Sequence, residues 1–175
     1  IKLHCHVQGL APDDPSMHEV YDICTRQKKP VLIHAGKAPR SPAYPRNTDE
    51  ICSVDRIESI LRSFPELKLC VPHLGADEYE AYGALVERYD NIWLDTTMAL
   101  ADYLPGKVPW LVAERRPGRV MYGTDFPNIP YAWDRELKRI LARPLKDTHM
   151  EQILGGAARE FYGIGSPGNS SVPGE

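Results

Sequence analysis

The residues in this chain with the greatest capacity for chemistry are His4, His6, His34, His73, Asp95, Thr97 and Asp125. Each stands at or near the end of a short apolar run. A single histidine in such a place is more often structural than functional. Several in register at successive strand ends converge on one pocket. Imidazole with carboxylate is the donor set that a divalent transition ion prefers. An ion held with one position open lowers the pKa of its bound water toward about 7, so hydroxide exists at neutral pH. An aspartate beside it can take the proton and pass it on. A second histidine can hydrogen-bond a developing oxyanion. His34, His73 and Asp125 suit that division of labour.

The elements that must position these groups are legible as an alternation. Apolar runs at 1–7, 30–34, 67–73, 92–96 and 119–125 are rich in Val, Ile, Leu and aromatics and end in polar or small residues, which are strand signals. Amphipathic segments separate them. Met17, Val20, Tyr21 and Cys24 recur at helical spacing after Pro15, and Lys28 and Lys29 suit a helix C-terminus. Ile57, Ile60, Leu61 and Phe64 mark a second helix, with Ser53 or Asp55 as its cap. Tyr79, Tyr82, Leu85, Val86 and Tyr89 mark a third, and a fourth starts at Trp110. Trp133, Leu137, Ile140 and Leu141 mark a fifth, and a last helix over 147–162 turns Met150, Ile153, Leu154 and Phe161 inward. Strands alternating with such helices imply a parallel sheet, and the right-handed crossover puts the helices on one side if the sheet curls. Ligands of parallel α/β folds bind at the C-terminal strand ends, where the seven residues sit. The Pro-rich stretch 37–50 follows one such end and reads equally as a lid or as a passive surface loop. Residues 165–175 have too little apolar content to pack and are expected to be a disordered tail.

Composition narrows the function classes. The 175 residues suit one domain, though few for a complete (β/α)8 barrel, which needs roughly 200–250 or more. The net charge of -3 disfavours nucleic acid and anionic membranes as partners. No apolar run reaches the ~18 residues of a membrane span. The first residues do not resemble a signal peptide, and the missing start Met suggests upstream residues. Cys5, Cys24, Cys52 and Cys70 form no Cys-x-x-Cys pair and read as small buried hydrophobes of a reducing, cytoplasmic compartment.

Three segments carry a family resemblance. Residues 30–36 (Pro-Val-Leu-Ile-His-Ala-Gly), 68–76 (Lys-Leu-Cys-Val-Pro-His-Leu-Gly-Ala) and 119–127 (Arg-Val-Met-Tyr-Gly-Thr-Asp-Phe-Pro) resemble the fifth, sixth and eighth strand motifs of the amidohydrolase-2 family. Those are TIM-barrel, metal-dependent enzymes similar to aminocarboxymuconate-semialdehyde decarboxylase. Residues 153–162 resemble the family's final helix. The pieces are specific in this order and spacing, and the resemblance covers nearly all of 1–164. It implies that His34 is a metal ligand, that His73 is a metal ligand or catalytic hydrogen-bonding group, and that Asp125 is the metal-binding carboxylate and proton shuttle. Asp95 and Thr97 would line the pocket, with His4 and His6 as further candidates. Zinc is the expected divalent metal.

There are two departures. The family's first strand supplies a His-x-His pair, and the one such pair here, His4-Cys5-His6, lies only ~30 residues before His34, the length of one βα unit. That spacing places it on the fourth strand. Ala157 stands where the family often has Asn. The expected fold is therefore α/β: a partial (β/α)8 barrel of about five parallel βα units over 1–164, corresponding to strands 4–8. Five such strands cannot close a small barrel, and open edges invite pairing with another chain, so the expectation is self-association as a homo-oligomer, missing upstream residues, or a rearranged open sheet with helices on both faces. Three functions follow: a metal-dependent hydrolase acting on a small organic substrate, a non-oxidative decarboxylase on the same scaffold, or an inactive partial barrel. Lys2, Lys37, Arg40 and Arg46 are candidate anion contacts, although solvated surface cations are the commoner case.

Overall fold

The computed structural model describes residues 1–37, 41–103 and 110–165. Five parallel strands form one sheet in sequence order: β1 (Lys2–His4), β2 (Val31–His34), β3 (Leu69–Val71), β4 (Ile92–Asp95) and β5 (Val120–Met121). The register pairs Lys2 with Leu32, Leu32 with Cys70, Cys70 with Trp93 and Asp95 with Met121. This is the expected partial barrel.

Alternation along the strands divides the core in two. Val31, Ile33, Leu69, Val71, Ile92, Leu94 and Val120 face one way and are buried against the crossover helices. Those helices are α2 (His18–Arg26), α4 (Val54–Ser63), α5 (Tyr79–Arg88), α6 (Trp110–Arg115) and α7 (Arg135–Ala142). Their inward residues include Tyr21, Ile57, Leu61, Tyr82, Leu85, Val112 and Ile140. Cys70, Trp93 and Met121 face the other way and pack on Ala157 and Phe161.

That second cluster refines the expected layout. The last helical segment runs as α8 (Asp147–Glu151), a π-helical turn (Gln152–Gly156) and α9 (Ala157–Tyr162). Ile153 joins the crossover-helix side, whereas Phe161 fills the inner face of the sheet, 5.4 Å from Trp93 between ring centroids. The crossover helices share one side of the sheet, and α9 covers part of the other.

Several boundaries differ from the sequence reading. Strand β1 ends at His4, and Cys5–Gln8 form a short helix, α1, so His6 stands on a helical turn. Strand β5 is two residues long, which puts Asp125 four residues beyond its end. Another short helix, α3 (Thr48–Ile51), capped by the Asn47 side chain, closes the Pro-rich stretch. Ser53 occupies the cap position of α4 without a side-chain bond. The inward face of α7 is Glu136 and Ile140, while Trp133 and Leu141 are exposed. The expected tail lies, from 166 onward, outside the described residues. No helix among the described residues is long and apolar enough to cross a membrane.

Candidate active site

The parallel register builds the site. His4 and His34 are direct partners at the ends of β1 and β2. Adjacent strands lie ~4.8 Å apart, so opposed side chains on one face must touch. The two imidazoles stack, with centroids 4.0 Å apart and 22° between planes. His73, two residues past β3, adds a third ring 4.5 Å from His34. His6 closes the group edge-on at 5.3 Å from His34 and 5.6 Å from His4. Four of the expected site residues are thus brought together.

The β2 and β3 loops approach closely, and glycine permits it. Gly36 has φ +93° and Gly75 has φ +87°. A Cβ on Gly36 would meet the Gly75 carbonyl, and one on Gly75 would enter the Tyr82 ring. His73, Leu74 and Ala76 also take left-handed φ values of 57°, 51° and 55°. Strained backbone at non-glycine residues persists only where surroundings enforce it, and it concentrates at functional sites. Asp125, at φ 57°, shares that feature.

Burial and mutual proximity set the protonation of the rings. Burial, then His73, His4 and His6, pushes His34 down to about 2. Burial and His6 also lower His4. Both are neutral near pH 7, with nitrogen lone pairs available. His6 behaves oppositely: burial lowers its pKa, but the neighbouring Cys52 thiol and the Gly36 carbonyl outweigh that, and its pKa rises. Its Nε2 lies 2.9 Å from the Gly36 carbonyl oxygen. The Cys5 thiol beside Cys52 holds the Cys52 pKa below the ordinary thiol value, with His6 contributing, while Cys5 is pushed up. All four cysteines are free and buried, as read from the sequence.

His73 is fixed from two sides. Its Nδ1 lies 2.8 Å from the Thr97 carbonyl oxygen. A carbonyl only accepts, so Nδ1 carries a proton, and in the neutral ring Nε2 then holds the lone pair. Its backbone N–H donates to Asp95 Oδ1 at 3.1 Å, and the same oxygen accepts from the Thr97 N–H at 3.1 Å. Asp95 is buried, and burial raises its pKa despite those bonds. Asp95 and Thr97 therefore act on His73 through the backbone. Residue type alone did not show this.

Asp125 is partly exposed, and its carbonyl accepts from the Asn128 N–H at 2.8 Å. Among the described residues no three His, Cys, Asp or Glu side chains are placed to hold a metal ion together. By chemistry the donors suit a divalent transition ion: His4 and His34 are neutral imidazoles, and His4 Nδ1 and His6 Nδ1 are buried without a hydrogen-bond partner. By position they are not assembled into a three-donor set. Of the described anion candidates, only Lys2 is close enough for its charge to lower the pKa of His4 and His34. Lys37 faces Glu78 at 3.9 Å, Lys2 and Arg46 are exposed, and Arg40 lies outside the described residues.

Sequence reasoning missed Glu136, which is buried on α7 and binds the loop after β4. Its signal was present: Glu136 and Ile140 are four apart and share a helix face. Tyr44 was also missed, with its ring 5.5 Å from that of His6.

Comparison with known proteins agrees with this architecture. An uncharacterised TIM-barrel protein from Bordetella bronchiseptica matches 87% of the chain at 25% identity and TM-score 0.71. A 4-oxalomesaconate hydratase from Rhodopseudomonas palustris matches 93% at 20% identity and TM-score 0.66. A 5-carboxyvanillate decarboxylase from Novosphingobium aromaticivorans, solved with manganese and a nitrobenzoic acid, matches 94% at 17% identity and TM-score 0.63. The chain spans 52%, 55% and 56% of their respective lengths. No curated protein matches the chain. The amidohydrolase family pattern matches residues 1–164, and the chain belongs to that family.

Proposed function

We propose that this chain carries the imidazole and carboxylate part of a metal-dependent active site that hydrolyses a small organic substrate with an activated water. The observation that carries this reading is the contact of His4, His34 and His73 at the C-terminal ends of three adjacent parallel strands, with His34 held neutral. In this reading His34 and His73 are nitrogen donors, and Asp125 is the carboxylate that takes the proton of the attacking water. His73 presents Nε2 toward the pocket because its Nδ1–H is committed to Thr97. A bound divalent ion would supply an acidified water and polarise the substrate. Zinc and manganese both accept nitrogen and oxygen ligands, and manganese is the ion in the Novosphingobium decarboxylase.

A second reading is non-oxidative decarboxylation, favoured by the fold shared with that decarboxylase. Here a proton is delivered to the ring carbon that loses carbon dioxide. His73 and Asp125 are again the groups able to move it.

The test is metal content per chain, measured by mass spectrometry on protein purified without chelator and then incubated with zinc or manganese. Near one ion per chain, lost in His34→Ala and Asp125→Ala, supports the reading. No ion in the parent chain after either incubation sinks it. Carbon dioxide release against incorporation of labelled water oxygen into product then separates the two reactions.

A further inference from the structure

Glu136 is a buried carboxylate that neither proposed reaction uses. It is 1% exposed, and no cation pairs with it among the described residues. Its two oxygens accept from the backbone N–H of Met98 at 2.9 Å and of Leu100 at 3.0 Å. Burial pushes its pKa up to about 7 against the pull of those two bonds, so the carboxylate form prevails only above neutral pH, where both oxygens accept.

Those two amides flank the turn that serves His73. Thr97 precedes Met98 directly, and its carbonyl oxygen receives His73 Nδ1 at 2.8 Å. Met98 and Asp102 take left-handed φ values of 62° and 52°, so this turn does not rest in an easy backbone conformation. The same helix grips the turn elsewhere. Arg135 donates to the Ala101 carbonyl at 2.7 Å and to the Asp102 carbonyl at 2.9 Å. Arg139 pairs with Asp102 at 3.1 Å. Helix α7 thus holds both chemical faces of one loop: Glu136 takes its amides, and Arg135 takes its carbonyls.

We propose that Glu136 is a positioning residue of this site: by holding the Met98 and Leu100 amides it keeps the Thr97 carbonyl on His73, so that His73 carries its proton on Nδ1 and presents Nε2 to the pocket. Relaxing the loop removes the acceptor, and the two tautomers then lie close in energy. The inference rests on His73 being a working group of the site described above.

The test is the tautomer itself, read by nitrogen NMR of the imidazoles in the 175-residue chain at about pH 8.5, some two units above the ordinary histidine pKa. His73→Gln identifies the signal by its loss. In the parent chain His73 shows a protonated Nδ1 and an unprotonated Nε2. Glu136→Ala yields a mixture of tautomers and exchanges the Met98 and Leu100 amides at least tenfold faster. Glu136→Gln keeps one acceptor oxygen and gives an intermediate result, which also serves if the alanine variant does not fold. A folded Glu136 variant with His73 still wholly in the parent tautomer overturns the proposal, because a merely structural role lowers stability without moving that proton. The readout needs neither metal nor substrate. A chain that binds no metal therefore defeats the functional reading and leaves the tautomer result standing.

Discussion

The imidazole of His34 lies flat against that of His4, 4.0 Å away, because the two residues are register partners on neighbouring parallel strands. Protonating either ring would place a cation against its neighbour in a buried pocket. The chain resists this by depressing the His34 pKa to about 2.

That relationship predicts acid sensitivity. The folded pKa of His34 is below the unfolded value of 6.5, so the unfolded state binds more protons between these values. Stability is therefore full above about 6.5 and falls as pH drops toward 2. From pH 7 to 5 the loss is about 2 kcal/mol from His34, and His4 adds to it with the same sign. Urea denaturation of chelator-treated protein measures this. His34→Gln should flatten the slope, and an unchanged slope would refute the assignment.

Asp95 serves as an acceptor for two backbone amides, one buried and one partly buried. Asp95→Ala leaves the His73 and Thr97 N–H groups without that oxygen and should cost about 2–4 kcal/mol. Asp95→Asn keeps a carbonyl oxygen and should cost about 1 kcal/mol. Equal losses in the two variants would show that the charge, and not the acceptor, is what matters.

Gly75 is required by its conformation and by Tyr82. Gly75→Ala combines a left-handed φ with a Cβ driven into a buried ring, and should cost about 3 kcal/mol. Thermal unfolding reads the loss. Tyr82→Ala in the same chain should remove the steric part of that penalty, and strictly additive effects would show that the two residues do not oppose each other.

The outer edge of β1 predicts self-association. The Ile1 carbonyl accepts from the Leu32 N–H, whereas the His4 N–H turns away from β2 to Gln8 Oε1 at 2.8 Å. Even-numbered residues of β1 thus direct their backbone away from β2, on an edge that no described strand covers. We propose that a second copy pairs there. Sedimentation velocity over a tenfold concentration range should show a species heavier than the monomer, and Lys2→Pro should abolish it. A monomer throughout would rule the pairing out.

Much of this molecule is dictated locally. Apolar runs such as 30–34 and 92–96 can bury their side chains only as strands in a sheet covered by helices, so five βα units and the family motifs were readable along the chain. So was the placement of His4, His34 and His73 at C-terminal strand ends, because strand period and element order determine which end of a parallel sheet a residue occupies. Tertiary structure decided the rest. The stacking of His34 on His4 depends on strand register, which joins residues 30 positions apart. The turn of Phe161 onto Trp93 depends on where the last helix crosses the sheet. The proton on His73 Nδ1 depends on a carbonyl from residue 97, held in turn by a carboxylate from residue 136. Hydrogen-bond partners so far apart in sequence leave no periodic trace, since each is chosen by the approach of two backbones and not by the residues beside it.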